Sequence, residues 1–390
     1  MHILEIPSFF PPYGGLFCLD QAKALQALGH EVRILSNVQL AITIGVKDYL
    51  CLPYRRYEYD LEGVTVFQSY QRGIPKIVHY NVCRWVSIVC SMFRDYVRRY
   101  GRPDILHAHC AKWAGYAAMT LKEEYHIPYV ITDHLPLMLL EEEYGKAPSS
   151  AWQIPLLRCA YERADMVLPV SEELVDDIAC YYEKNYKWQY LSNIIDTEFF
   201  IYKERQPQAD RPFCFCCLAD YYYRKGYDVL FEAYRQLQIL GCPLELHIAG
   251  LYTDGKKCKE DIKHYGIKGV KTYGRLDKER VRELLYQCDA LVLASRSEVQ
   301  PLVLLEAMRT GIPVVSTECI PQCLRIGEEC LIVPIGDATS LAGAMEQVME
   351  MSVDGKCLSE KIYQLASPQV VGRKLEAIFK EITVPRSSFA

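Results

Sequence analysis

Short apolar runs alternate along the chain with longer stretches in which apolar residues recur at helical spacing. Met1 to Ile6, Glu31 to Ser36, Asp104 to Ala108, Tyr129 to Thr132, Met166 to Val170 and Tyr190 to Leu191 read as buried strands. So do Phe213 to Leu218, Leu244 to Ala249, Val270 to Tyr273, Ala290 to Ala294 and Pro313 to Ser316. Between them, Leu19 to Leu28, Trp113 to Glu124, Glu172 to Tyr182 and Tyr227 to Leu240 carry the periodicity of amphipathic helices. Strand followed by helix, repeated, predicts an α/β fold of parallel sheets with helices on both faces.

The polar, aperiodic stretch Lys203 to Pro212, with prolines at 207 and 212, breaks this rhythm and reads as a linker. A chain of 390 residues exceeds what one ordinary core organises. The expected division is therefore a Rossmann-like domain over 1–203, a linker over 204–212 and a second Rossmann-like domain over 213–366. Ser367 and Pro368 suit the N-cap and first position of a last helix reaching about Ile382. That closing segment, 367–390, is expected to cross back to the first domain. Doubly wound sheets bind ligands beyond the carboxyl ends of their strands. Two such sheets facing each other would enclose a cleft, and the chemistry is expected there.

Composition narrows the class. Half the residues are hydrophobic and 24% are charged, as in a folded protein and not a disordered one. The net charge of −5 argues against a general nucleic-acid binder. Neither a signal-peptide pattern at the N-terminus nor an apolar run of ~18 residues is found, so a cytoplasmic location is expected. The 17 cysteines follow no framework spacing and read as reduced thiols. Cys214 and Cys217 have CxxC spacing, but they lie in the continuously apolar run Phe213 to Leu218. A core strand is the preferred reading there over a redox or metal site.

Candidate chemistry concentrates between Ser295 and Val315. A strand ends near Ala294, a loop carries Glu298, and a helix begins around Pro301 to Val303 with Glu306 about one turn in. The start of a helix exposes backbone N–H groups and partial positive charge, a seat for a diphosphate. Carboxylates accept hydrogen bonds from sugar and ribose hydroxyls. Taken alone, the spacing fits better with two exposed glutamates that favour the helix dipole.

The surrounding sequence changes that balance. Glu298 and Glu306 form an E-x7-E element inside a segment that closely resembles the retaining family 4 glycosyltransferases of the GT-B fold. The likeness extends to Pro11-Pro12-Tyr13-Gly14-Gly15, to Gly29-His30-Glu31-Val32, to Asp104-Ile105-Leu106-His107-Ala108-His109 and to Arg224-Lys225-Gly226. It implies donor-binding roles for Gly14, Gly15, Arg224, Lys225, Arg275 and the run Glu298, Val299, Gln300, Pro301, Leu302 and Val303, with Glu306 on the ribose. His109, Lys225 and Glu298 are the implied catalytic residues. Lys225 would meet the diphosphate, Glu298 and His109 the donor sugar, while His107 packs and His134 faces the cleft. Tyr273-Gly274-Arg275 would wall the nucleobase, and Ser192-Asn193-Ile194-Ile195-Asp196 would be a hinge. The family's arginine five or six residues before Lys225 is absent, those positions being Asp220 and Ala219. Cys319-Ile320-Pro321 stands where many relatives carry glycines.

The implied reaction moves a sugar from a nucleotide-diphosphate donor to an acceptor hydroxyl with retention, in polysaccharide or glycolipid assembly. The donor is a co-substrate, and neither a cofactor nor a metal is expected. The alternatives are a nucleotide-sugar epimerase of the same fold and a non-catalytic partner subunit. The stretch Arg72 to Arg102 mixes arginine with Trp85, Phe93 and Tyr96. It reads equally as an ordinary solvated helix face or as a basic amphipathic face docking on anionic lipid. In the second case the protein would be peripheral on the inner face of the cytoplasmic membrane.

Overall fold

A computed structural model describes residues 1–42, 45–53, 55–134, 137–146, 150–204 and 211–383. The chain divides into two compact units. One comprises Met1–Ile194 with the returning helix Pro368–Thr383, the other Ile195–Ser367.

The first unit is built on seven strands: β1 (His2–Pro7), β2 (Glu31–Leu40), β3 (Tyr57–Leu61), β4 (Val64–Arg72), β5 (Ile105–His109), β6 (Tyr129–Asp133) and β7 (Met166–Pro169). Their order is β3-β4-β2-β1-β5-β6-β7. All neighbours run parallel except β3 and β4. β5 and β6 are buried at every residue, because helices cover both faces of a parallel sheet and its strands need not alternate.

The second unit carries β8 (Phe213–Leu218), β9 (Leu244–Ala249), β10 (Val270–Thr272), β11 (Ala290–Leu293), β12 (Val314–Thr317) and β13 (Cys330–Val333). Their order is β10-β9-β8-β11-β12-β13, parallel throughout. Cys214, Cys216 and Cys217 are all buried in β8.

Several expectations are corrected. The first unit ends at Ile194, inside the Ser192 to Asp196 segment, so residues 195–203 group with the second unit. Most of the expected linker, residues 205–210, lies outside the described residues. Tyr190 and Leu191 form no strand of their own. That extended segment only runs beside β7, with a bridge at Trp188 and a hydrogen bond from Leu191 N–H to the Pro169 carbonyl. The hairpin β3–β4 interrupts the strand–helix alternation. It turns at Glu62-Gly63, both with positive φ, a turn matched to the twist of paired strands.

Arg72 to Arg102 is not one amphipathic face. Arg72 ends β4 and donates to the carbonyls of Tyr49, Leu50 and Leu52. In the helix Val78–Tyr100, Trp85, Phe93 and Tyr96 are core residues. Arg94, Arg98 and Arg99 pair with Glu124, Asp95 and Glu58. The aromatic half of the proposed lipid-docking face therefore points into the protein. Among the described residues no helix is long and apolar enough to cross a membrane.

Gly14 and Gly15 precede the helix Leu16–Ala27, both at positive φ. A Cβ on Gly15 would stand 1.9 Å from the Phe9 carbonyl oxygen, whereas one on Gly14 meets nothing within 4 Å. Gly15→Ala should therefore cost roughly 2–4 kcal/mol of stability, and Gly14→Ala only the strain of its φ, about 1 kcal/mol. Urea unfolding of the two variants checks this, and equal losses would show that the contact with Phe9 is not the controlling constraint.

Candidate active site

In a doubly wound sheet, ligands collect where the strand order reverses. In the second unit that point lies between β8 and β11, so the loops following those two strands should carry the chemistry. Lys225 closes the short turn Tyr223–Lys225 after β8, and Gly226, with φ 66°, opens the helix Tyr227–Ile239. Gly226 is required there because an added Cβ would stand 1.8 Å from the Ala294 carbonyl oxygen at the end of β11. The two loops are also joined by the Arg296 N–H, which donates to the Arg224 carbonyl at 2.7 Å. The Arg296 guanidinium holds both oxygens of Asp228, at 2.9 and 2.7 Å, and lies 4.1 Å over the Tyr223 ring.

This clamp brings the two sequence candidates together. Lys225 Nζ lies 2.5 Å from Glu298 Oε1, and Ser295 Oγ donates to the same oxygen at 2.7 Å. Arg224 Nη1 stands 3.9 Å from Glu298 Oε2. The Lys225 and Glu298 side chains are 15% and 6% exposed, so little water competes for either charge. Gln300 and Pro301 are buried beyond them. The helix Leu302–Arg309 then starts with Pro301 at its N-cap and no side-chain cap. The Leu304 N–H is taken by the Pro301 carbonyl at 3.1 Å, while the N–H groups of Leu302 and Val303 precede the helical ladder and call for an acceptor from elsewhere. Val299 and Val303 are half-buried, Leu302 is exposed, and Glu306 sits half-buried at the fifth residue of that helix.

Other candidates lie apart. Arg275 is exposed after β10, the edge strand, two strands away from β8. The Tyr273 hydroxyl is held 3.2 Å from His247 Nδ1. The positions where the resemblance asks for an arginine join neighbouring loops instead. Asp220 Oδ1 accepts the Leu251 N–H and the Ala219 carbonyl accepts the Tyr227 hydroxyl.

In the first unit the order reverses between β1 and β5. The loop after β1 contains Gly14 and Gly15, and β5 ends at His109. Both His107 and His109 are fully buried on Glu5, which sequence analysis missed. His109 Nε2 lies 2.6 Å and His107 Nδ1 2.9 Å from Glu5 Oε2, and His107 Nε2 lies 2.7 Å from Thr132 Oγ1. A lone carboxylate inside the apolar run Ile3-Leu4-Glu5-Ile6 was the available signal, since a buried charge must find partners. Burial works against the Glu5 carboxylate, but the two imidazoles outweigh it and hold the carboxyl well below its usual range. Burial, then the neighbouring His107, lowers His109 to about 4. His109 thus donates Nε2–H as a neutral ring, which leaves Nδ1 an acceptor, buried and without a hydrogen-bond partner among the described residues. The His134 ring packs tilted on Phe17 with centroids 3.9 Å apart, and Phe17 also approaches His109 at 5.7 Å.

Two doubly wound units, each with candidate residues at its own switch point, define a glycosyltransferase of the GT-B type. The Glycosyltransferase Family 4 model matches residues 14–199 and the Glycosyl transferases group 1 model residues 199–364. The chain belongs to this glycosyltransferase family. It is 26% identical over 398 residues to TuaC of Bacillus subtilis, named as a teichuronic acid biosynthesis glycosyltransferase, covering 95% of this chain and 90% of that one. Sucrose-phosphate synthase from Thermosynechococcus elongatus superposes with a TM-score of 0.77 at 18% identity, covering 98% and 99% of the two chains. HepE from Anabaena, solved in complex with UDP, gives 0.69 at 14% identity, covering 98% and 100%.

A neutral, buried His109 carries a stability signature. The unfolded chain takes up a proton at pH near 6.5 that the folded chain refuses until about 4. Stability should therefore fall as pH drops through that window. Urea titrations at pH 7.5 and 5 should show the loss in the wild type and a smaller one in His109→Asn. An identical loss in both would mean that His109 is not held neutral.

Proposed function

We propose that the protein transfers a sugar from a nucleoside-diphosphate donor to an acceptor hydroxyl with retention, in the assembly of a polysaccharide or glycolipid. The observation that carries this reading is the clamped Lys225–Glu298 pair at the switch point, beside the uncapped start of the helix Leu302–Arg309. Support also comes from HepE, whose structures hold UDP and, in another complex, UDP with glucose.

In this reading the diphosphate takes the first-turn N–H groups, with Lys225 and Arg224 as its cations. Glu298 and Glu306 accept hydroxyls of the donor sugar and ribose, and the free Nδ1 of His109 accepts a further sugar hydroxyl. When the sugar–phosphate bond breaks, negative charge grows on the diphosphate, where Lys225 and the helix start stabilise it. The departing phosphate removes the acceptor's proton on the same face, which retains the anomeric configuration. No step requires a metal or a cofactor.

A screen of nucleotide sugars with crude lipid-linked saccharide, reading nucleoside diphosphate release, tests the proposal. Release should depend on acceptor. Lys225→Ala, with its fold verified by circular dichroism, should turn over roughly 100- to 1,000-fold more slowly. Glu306→Ala should chiefly raise the donor KM. Conversion of the donor to a different nucleotide sugar without acceptor would instead identify an epimerase, and absence of donor binding would sink both activities.

A further inference from the structure

The helix Lys278–Gln287 packs on β8 of the second sheet, and side chains of unusual chemistry gather beside it. Cys214 and Cys216 project from one face of β8, two residues apart. Glu245 and His247 stand opposite them in register on β9. Cys288 arrives from the end of the helix. The sulfurs of Cys214 and Cys288 are 3.3 Å apart, and a ring nitrogen of His247 completes a set of three ligand atoms all within 4.8 Å of one another. All three residues are buried. The fully buried Cys216 thiol rests 3.6 Å from the Ala290 carbonyl and also contacts Cys288.

Buried thiols by themselves are ordinary core residues. What the core reading leaves unexplained is the convergence of an imidazole on two sulfurs. His247 Nε2 is 3.1 Å from Glu245 Oε2, and Lys271 Nζ holds that same oxygen at 2.8 Å. A carboxylate on one nitrogen fixes the tautomer and frees the other nitrogen as a ligand, the arrangement found behind metal-binding histidines. The other nitrogen, Nδ1, is hydrogen-bonded to the Tyr273 hydroxyl at 3.2 Å, a partner an ion would displace; Tyr273 is 39% exposed, so its ring can swing outward. The CxxC spacing is not the relevant one, because Cys214 and Cys217 face opposite sides of the strand.

We propose that Cys214, Cys216, Cys288 and His247 Nδ1 bind a structural zinc ion. Three sulfurs and one imidazole form a closed tetrahedral set for that metal. Tetrahedral sulfurs about 2.3 Å from zinc stand about 3.8 Å apart, so the three ligand atoms within 4.8 Å must close up by about 1 Å and the Cys216 side chain must turn in to join them. Binding exchanges three thiol protons for the ion and involves no redox change. The ion would tie β8 and β9 to the end of the helix Lys278–Gln287, and thereby fix the entry to β11, whose far end leads to Glu298.

The full chain, purified under reducing conditions and stripped of metal with a chelator, is titrated with zinc against a chromophoric competitor and separately with cobalt. One equivalent should bind, with thiolate-to-cobalt charge-transfer absorption. Cys288→Ser and His247→Ala should lose the tight site, and Glu245→Gln should weaken it roughly tenfold. Replacing the exposed Cys51, Cys83, Cys180 and Cys357 with serine should change nothing. Absence of stoichiometric uptake by the folded wild type overturns the proposal, as does a Cys214–Cys288 crosslink in place of uptake. Cobalt bands that persist in Cys288→Ser do so equally. Should that variant fail to fold, the wild-type stoichiometry and the Glu245→Gln shift still decide.

Discussion

Lys225 and Glu298 meet 2.5 Å apart in a place where water scarcely reaches either of them. A buried ion pair contributes little net stability, because desolvation consumes most of the attraction. Removing one partner is costly, about 3–5 kcal/mol, since the other charge is then left stranded. Such a pair is better understood as holding a cation in position than as holding the fold together. The surrounding contacts support that view. Gly226 lets the turn after β8 lie against Ala294, and Arg296 fastens one loop to the other through a backbone bond and through Asp228. The ammonium thus has one location, set by two strands that neighbour each other at the switch point. An arriving anion can become its partner there without leaving it unpaired.

The first unit handles a buried carboxylate differently. Among the described residues no lysine or arginine pairs with Glu5. It collects the ring nitrogens of His107 and His109 at one oxygen. The cluster lies where β1 and β5 adjoin, the reversal point of that sheet. Fixing Nε2 on Glu5 decides which nitrogen of His109 stays available. The tautomer of the histidine is therefore set from behind, by a residue contributed by the first strand. Both units place a charged group beside their switch point and constrain it from a neighbouring strand.

Much of this was legible in the sequence, and for a physical reason. Strands buried on both faces of a parallel sheet leave uninterrupted apolar runs, so β8 and β9 were placed to the residue, and most of the other strands to within a residue or two. Pairing between residues distant in sequence left weaker traces. The hairpin β3–β4 alternates polar and apolar residues at a sheet edge and looks like loop. Ile194 closes the first unit because its side chain packs in that unit's core, while Ile195 packs in the other. No polar stretch marks the division. Glu298 and Lys225 were legible through their motifs, but their contact was not, because 73 residues separate them. Glu5 and Cys288 were missed because each acquires its meaning only from strands brought beside it by the fold.

Where the resemblance asks for an arginine, the chain has Ala219 and Asp220. At the end of β8, Asp220 uses its carboxylate on the Leu251 N–H, so the position now ties the loop after β9 to β8. A cation is nevertheless retained nearby. Arg224 approaches Glu298 from the turn that presents Lys225, so one carboxylate faces two positive groups and the local balance favours an added anion. The Arg224 guanidinium hangs from a three-residue turn and not from the end of a strand. A turn is held by fewer backbone bonds than a sheet, and among the described residues the side chain is steadied by Ser297 and Glu298.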